Sequence, residues 1–206
     1  MFQRYFRFLQ KVLRGQNPLK VKHVASEWDR QFAKGNWDFL LSSPQYNIAV
    51  VEQLINENVD TNRKLRVLDV GCGNGSLACR LSPDQVVYTG VDISCEALRH
   101  ARAMCPHFTF LQGSIDVTST VKGIFDVVVF CEVLLYGDYE KVIRNFQRNL
   151  SKESFVIISL YDTWRTKLIL RSIRRELTIN KEVYIKDKKR NIGWTVAIGK
   201  LRCNNE

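Results

Sequence analysis

One stretch constrains this chain more than any other: Val67-Leu68-Asp69-Val70-Gly71-Cys72-Gly73-Asn74-Gly75-Ser76-Leu77, an apolar run that ends in an acid and breaks into three alternate glycines. Such a pattern encodes a buried strand, a tight loop and a helix. Alternate glycines tolerate positive φ and carry no Cβ, so the backbone turns sharply and comes within contact distance of a ligand. A helix starting near Gly75 and reaching about Leu81 is expected to aim its unpaired N–H groups into the same space. That arrangement favours a ligand with a carboxylate or another anionic group.

From residue 65 onward strand and helix patterns alternate, which predicts a parallel sheet covered on both faces. The expected strands are 65–70, 86–91, 108–111, 125–130 and 155–160, and the continuously apolar run 125–130 belongs at the middle of the sheet. Ser94 and Asp138 are placed to cap the helices that follow them. A basic helix over about 164–176 then leads to two extended stretches, 179–186 and 194–200, joined by the polar turn Asp187-Lys188-Lys189-Arg190-Asn191. A short polar connection makes these an antiparallel hairpin, so one strand of the sheet should run against the others. The fold class expected is α/β: a doubly wound, mostly parallel, seven-stranded sheet with a C-terminal antiparallel hairpin strand, in a Rossmann-like arrangement.

Three features fall at the carboxyl ends of successive predicted strands: the glycine loop, Asp92 and Gly113-Ser114. In an open α/β sheet that edge binds ligands. An acid about twenty residues beyond a glycine loop is placed to accept hydrogen bonds from ribose hydroxyls, so a nucleoside-containing cofactor is expected. The glycine order Asp69-x-Gly71-x-Gly73-x-Gly75 departs from the G-x-G-x-x-G of dinucleotide folds and disfavours a pyrophosphate.

These residues resemble the seven-stranded, S-adenosylmethionine-dependent (class I) methyltransferases, over about residues 62–200. The resemblance implies the cofactor S-adenosyl-L-methionine, with Gly71, Cys72, Gly73 and Gly75 against its methionine portion and Asp69 ordering the loop and receiving its amino group. It also implies that Asp92 holds the ribose and Ile93 packs on the adenine. Ser114 stands where many relatives place an acid for the adenine amine, leaving that role to Ser114, its neighbour Ile115, Asp116 or backbone groups. Cys131 and Glu132 lie where relatives bring the methyl group to the acceptor. Glu132 is the candidate base if the acceptor is a hydroxyl, with Tyr136 and Tyr161-Asp162 next; Tyr136 is a weak base at neutral pH because its ordinary pKa is near 10. The alternative is that Glu132 is a cofactor-adjacent acid with no proton to move. His23, His100 and His107 fall outside this cluster, and no metal site is expected.

Before the sheet, residues 23–57 read as helical, interrupted by Gly35 and Ser42-Ser43-Pro44, with Trp28, Phe32, Trp37, Phe39 and Tyr46 making the region aromatic. They either pack on the sheet or form a lid that closes over the cofactor and excludes water. The segment Trp28-Asp29-x-x-Phe32-Ala33-x-Gly35-x-Trp37-Asp38-Phe39 resembles bacterial polysaccharide and secondary-metabolite methyltransferases, and more distantly nodulation-factor N-methyltransferases. That resemblance implies a small-molecule or glycan acceptor, methylated on oxygen or nitrogen.

The net charge of +10 sits at the ends: residues 1–25 carry six bases and no acid, and residues 163–190 carry ten bases against three acids. Residues 1–14 set Phe2, Tyr5, Phe6, Leu9, Val12 and Leu13 opposite Arg4, Arg7, Lys11 and Arg14, a basic amphipathic helix. It packs on the domain, lies peripherally on an anionic membrane, or forms an organellar transit segment. The expected organisation is a 1–22 extension, a 23–61 helical cap and a 62–206 cofactor-binding domain. No apolar run approaches the roughly 20 residues of a membrane span. Six cysteines without a C-x-x-C pair read as reduced thiols, mostly in core elements, of a cytoplasmic protein. The basic ends also suit an RNA methyltransferase, although 131–134 lacks the Asn/Asp-Pro-Pro-aromatic motif of base-modifying enzymes. A cofactor-binding subunit without turnover is the third reading.

Overall fold

Residues 25–42, 45–58, 62–115 and 121–202 are described by the structure, a computed structural model. The helix expected at 1–14 lies outside them, as do His23, Asp116 and Cys203.

The apolar half of the 67–77 stretch forms β1 (Leu65–Val70), buried at every position but Arg66. It pairs in parallel with β2 (Val86–Asp92) on one side and β4 (Phe125–Cys131) on the other. β3 (Thr109–Gln112) extends the parallel sheet beyond β2, and β5 (Leu150–Tyr161) beyond β4. β6 (Leu177–Asp187) and β7 (Ile192–Leu201) form the hairpin, whose turn ends with Asn191 at φ 52°. The strand order is β3-β2-β1-β4-β5-β7-β6. Since β7 is antiparallel to both β5 and β6, it alone is reversed, as the short polar connection required.

Helices cover both faces. α1 (Ala25–Ala33), a short α2 (Phe39–Ser42) and α3 (Tyr46–Asn56) come from the region before the sheet. Val51, Leu54 and Ile55 of α3, with Leu98 and Ala101 of α4 (Cys95–Met104), pack against Val67, Tyr88, Val127 and Ile157 on one face. On the other, α5 (Tyr139–Phe146) and α6 (Trp164–Glu176) bring Val142, Ile143, Phe146, Ile169 and Ile173 against Leu68, Val128, Phe130 and Ile158. Burying each such side chain contributes about 1.5–3 kcal/mol, which is why a two-sided apolar run such as β4 belongs in the interior of the sheet.

The helix starts follow from side-chain caps. Ser94 Oγ accepts from Ala97 N and Asp138 Oδ1 from Lys141 N. Thr163 and Thr166 form a reciprocal box at the start of α6. Each cap is worth about 1 kcal/mol.

One expected element does not form. Residues 71–77 continue as turns and Ala78–Arg80 make a single 3₁₀ turn, so no α-helix follows the glycine loop. Gly71, Gly73 and Gly75 take φ of 78°, 55° and 82°, so right-handed helix cannot begin before Ser76. Leu81 is already extended, at ψ 143°, two residues ahead of Pro83, whose ring also disfavours helix at Ser82. Fewer than two turns remain. The cysteines among the described residues are free, but Cys79 and Cys95 are exposed rather than in the core, because the 3₁₀ turn and the first turn of α4 face solvent.

Candidate active site

The carboxyl edges of β1, β2 and β4 and the turn after β3 converge on one cavity of about 660 Å³. Asp69, Gly71, Cys72 and Gly73 line it from β1 and its loop, Asp92 and Ile93 from β2, and Ser114 and Ile115 from beyond β3. Cys131, Glu132 and Tyr136 line it from beyond β4. Gly75 is not in the wall. It faces α4, where a Cβ would lie 3.1 Å from that of Ala101, so its need for glycine is close packing and positive φ.

Four N–H groups of the loop are used within the protein. Gly71 N and Cys72 N donate to Val91 O (2.7 and 3.0 Å), Gly73 N to Asp92 Oδ2 (2.9 Å) and Gly75 N to Cys72 O (3.1 Å). With these four donors satisfied internally, Gly71 to Gly73 supply shape and close approach, while Ser76 and Leu77 just beyond them also line the cavity.

Acids dominate this end of the cavity instead. Asp69, 2% exposed, accepts from Tyr88 Oη at 2.7 Å through Oδ2, while its Oδ1 has no partner among the described residues. Burial pushes its pKa from 3.8 to about 7 against the pull of the Tyr88 bond, with Asp92 nearby pushing the same way. Asp92 accepts from Gly73 N and from Ser94 N (2.9 Å each), one bond per oxygen. Burial raises its pKa while these backbone donors restrain it. A carboxylate oxygen takes two donors, so each retains capacity for a further hydrogen bond. This acidic wall suits a cationic ligand and repels a pyrophosphate.

Glu132 sits at φ 58°, an uncommon backbone state outside glycine and one that functional sites concentrate. Its Oε1 accepts from Ser159 Oγ (3.1 Å) and its Oε2 from Tyr161 N (2.9 Å). Burial lifts its pKa to about 7 despite those bonds. Beside it, burial and the Glu132 charge hold the Tyr136 hydroxyl well above its ordinary range, which makes it a weaker acid still. Its ring stands edge-on to Trp28 at 5.0 Å. Asp162 accepts from Tyr184 and is not part of the lining. His100 pairs with Glu96 and His107 packs on Phe108, both away from the cavity.

The region before the sheet closes the cavity. Trp28, Phe32, Trp37 and Phe39 line it and contact one another at ring separations of 5.7–6.0 Å. Tyr46 is exposed and meets Arg190 instead. Asp29 fixes this lid to α4, accepting from Ser94 Oγ (2.7 Å) and Glu96 N (3.1 Å).

Five contributors escaped the sequence reading. Tyr88 lies two residues N-terminal to Gly90, the register partner of Asp69, a relation visible only once β1 and β2 are paired. Asn47, 3% exposed, donates to Ser159 Oγ (3.1 Å) and leaves its Oδ1 without a partner among the described residues. A buried Asn on an otherwise apolar helix face was the available signal. Arg190 and Trp194 of the hairpin and Lys141 of α5 complete the far wall. Among the described residues no His, Cys, Asp or Glu cluster is arranged to hold a metal ion.

The family model described as "Methyltransferase domain" matches residues 61–200. The chain belongs to this methyltransferase family. Among its relatives, a ubiquinone biosynthesis O-methyltransferase of Albidiferax ferrireducens is 29% identical over 122 residues, 56% of this chain and 48% of the relative. The chain spans about half the length of the first curated relatives it matches. The fold is shared with N-methyltransferase NodS from Bradyrhizobium japonicum, solved with S-adenosyl-L-homocysteine, at TM-score 0.69 and 16% identity over 86% of this chain and 97% of that one. Magnesium protoporphyrin IX methyltransferase from Synechocystis, solved with the same molecule, superposes at TM-score 0.64 and 16% identity over 86% and 99% of the two chains. No helix among the described residues is long and apolar enough to cross a membrane.

Proposed function

We propose that this chain is an S-adenosyl-L-methionine-dependent methyltransferase whose acceptor is an oxygen or nitrogen of a small molecule or glycan intermediate. The observation that carries this reading is the acidic, aromatic-lidded cavity in which Asp69 Oδ1 is buried without a partner among the described residues. A cationic cofactor with an ammonium group and a ribose diol satisfies what the cavity leaves open. In this reading Asp69 receives the ammonium, Asp92 takes the ribose hydroxyls on its remaining lone pairs, and Gly71 and Gly73 give the methionine portion room. Ile93 packs on the adenine, while Ser114 and Ile115 border its edge.

The cofactor, when bound, supplies an electrophilic methyl group on a sulfonium. The protein's part is then to align the nucleophile and exclude water. Trp28, Phe32, Trp37 and Phe39 remove solvent from above the site. Cys131, Glu132, Tyr136 and Asn47 surround the position where an acceptor approaches. A carboxyl with a pKa of about 7 is well placed to take a proton from an acceptor hydroxyl near neutral pH. The name of the Albidiferax relative, an O-methyltransferase, supports an oxygen acceptor, and that of NodS a nitrogen one.

The test is a panel of phenols, sugar alcohols, amines and RNA incubated with methyl-labelled cofactor. Label transfer to one class identifies the acceptor. Cofactor binding without transfer to any class favours the subunit reading, and transfer to RNA favours the RNA one.

A further inference from the structure

We propose that the outer face of α6 docks on an anionic lipid surface. The helix has two sharply different sides. Ile169, Leu170 and Ile173 face the core. Opposite them, Trp164 (63% exposed) and Leu168 (56%) stand one turn apart, in line with Arg171 and Arg175 and flanked by Lys167 and Arg174. At 100° per residue these six side chains fall within an arc of roughly 120°. Arg174 pairs with Glu182 at 2.7 Å, and Lys167 lies 3.8 Å from Asp162. Arg171 and Arg175 form no ion pair with a described residue. Tyr184 (57% exposed) donates to Asp162, the residue two before Trp164, and so adds a second exposed aromatic near the start of the helix.

Large apolar side chains set between bases without acidic partners are what interfacial binding requires: the rings and Leu enter the headgroup boundary while the bases meet anionic headgroups. Bases alone would suit a nucleic-acid backbone equally, but Leu168 gains nothing from phosphates in water. The apolar pair therefore selects lipid. The position has a functional consequence that rests on the methyltransferase reading. α6 begins just beyond Tyr161, whose ring stands edge-on to the cavity-lining Trp194 at 5.9 Å. Docking here sets the acceptor side of the cavity beside the membrane, which fits an acceptor carrying a lipid-anchored tail.

The experiment is sedimentation of the full chain with vesicles of phosphatidylcholine, with and without phosphatidylglycerol, at low ionic strength. Binding is expected only with the anionic lipid and is expected to weaken as salt rises. Arg171→Gln with Arg175→Gln should lower the partition roughly 25-fold, at about fivefold per base, and Trp164→Ala with Leu168→Ala should lower it at least about fivefold. S-adenosyl-L-homocysteine binding by calorimetry should be unchanged in both variants, which shows that they are folded and separates this test from the cofactor assignment. Partition that survives both double substitutions would place membrane binding elsewhere and overturn the proposal. So would binding to a single-stranded RNA oligomer, but not to vesicles, that the two arginine substitutions abolish.

Discussion

Replacing Asp69 with asparagine examines the acidic wall at its most buried point. The carboxyl ionises at 3.8 in an ordinary setting and at about 7 here, because burial disfavours the charged form. A raised acid pKa contributes fully to stability below the unfolded value. The contribution declines as pH rises toward the folded value, because the unfolded chain ionises while the folded one stays protonated. At about 1.4 kcal/mol per pH unit, the total is at most about 4 kcal/mol, of which about 2 kcal/mol is lost between pH 5 and pH 7. The amide of the variant does not titrate. Glu132 and Asp92 titrate in both proteins, so the difference between variant and parent reports Asp69 together with its coupling to Asp92. Urea denaturation should therefore show the Asp69→Asn variant gaining about 3 kcal/mol on the parent between pH 5 and pH 8, without cofactor. The same substitution removes the charged partner of the cofactor ammonium and should weaken S-adenosyl-L-homocysteine binding by about 10- to 100-fold. A stability difference that is the same at both pH values would refute the buried, protonated carboxyl. Unchanged affinity would remove Asp69 from the ammonium site.

Other positions are equally exposed to test. Gly71→Ala places a methyl 2.4 Å from Val133 Cγ2 at φ 78° and should cost more than about 2 kcal/mol, measured as a loss of Tm with loss of cofactor binding. Asp92→Ala frees the Gly73 and Ser94 N–H groups and should reduce cofactor affinity about 100-fold or more, whereas Asp92→Asn keeps some of the loop bonding; calorimetry distinguishes the two. Glu132→Gln should lower turnover far more than cofactor affinity if Glu132 accepts the proton, and full activity with an identified acceptor rejects that role. Asn47→Ala removes a donor to Ser159 Oγ and, with Ser159 less restrained against Glu132, should shift the acidic limb of the rate against pH while leaving cofactor binding within about threefold.

The sheet was legible because its signal is local and repeated. Continuous apolar runs in β1 and β4, an acid at the end of β2 and a short polar connection before β7 each carry their consequence on their own residues. The bounds of α6 were equally plain, since extended stretches follow soon after Glu176, while its Thr163 cap emerged only in the structure. The missing helix after Gly75 shows where local reading fails: three left-handed residues on one side and Pro83 on the other leave too little chain, and propensity alone does not count that space. That Gly71, Cys72 and Gly73 donate to Val91 O and Asp92 was also beyond the sequence, because those acceptors belong to the neighbouring strand. Asn47, Arg190 and Trp194 reach the cavity, and Tyr88 reaches Asp69, only through tertiary placement. The aromatic segment from Trp28 to Phe39 was ambiguous between packing on the sheet and a lid; four of its rings line the cavity and cluster with Ala97 of α4.

The central claim is that this cavity holds S-adenosyl-L-methionine, and titration calorimetry of the full chain with S-adenosyl-L-homocysteine tests it most directly. The account predicts one equivalent bound per chain with a dissociation constant on the order of micromolar to submillimolar, lost in Asp92→Ala. No detectable heat at millimolar concentration from folded protein would contradict it.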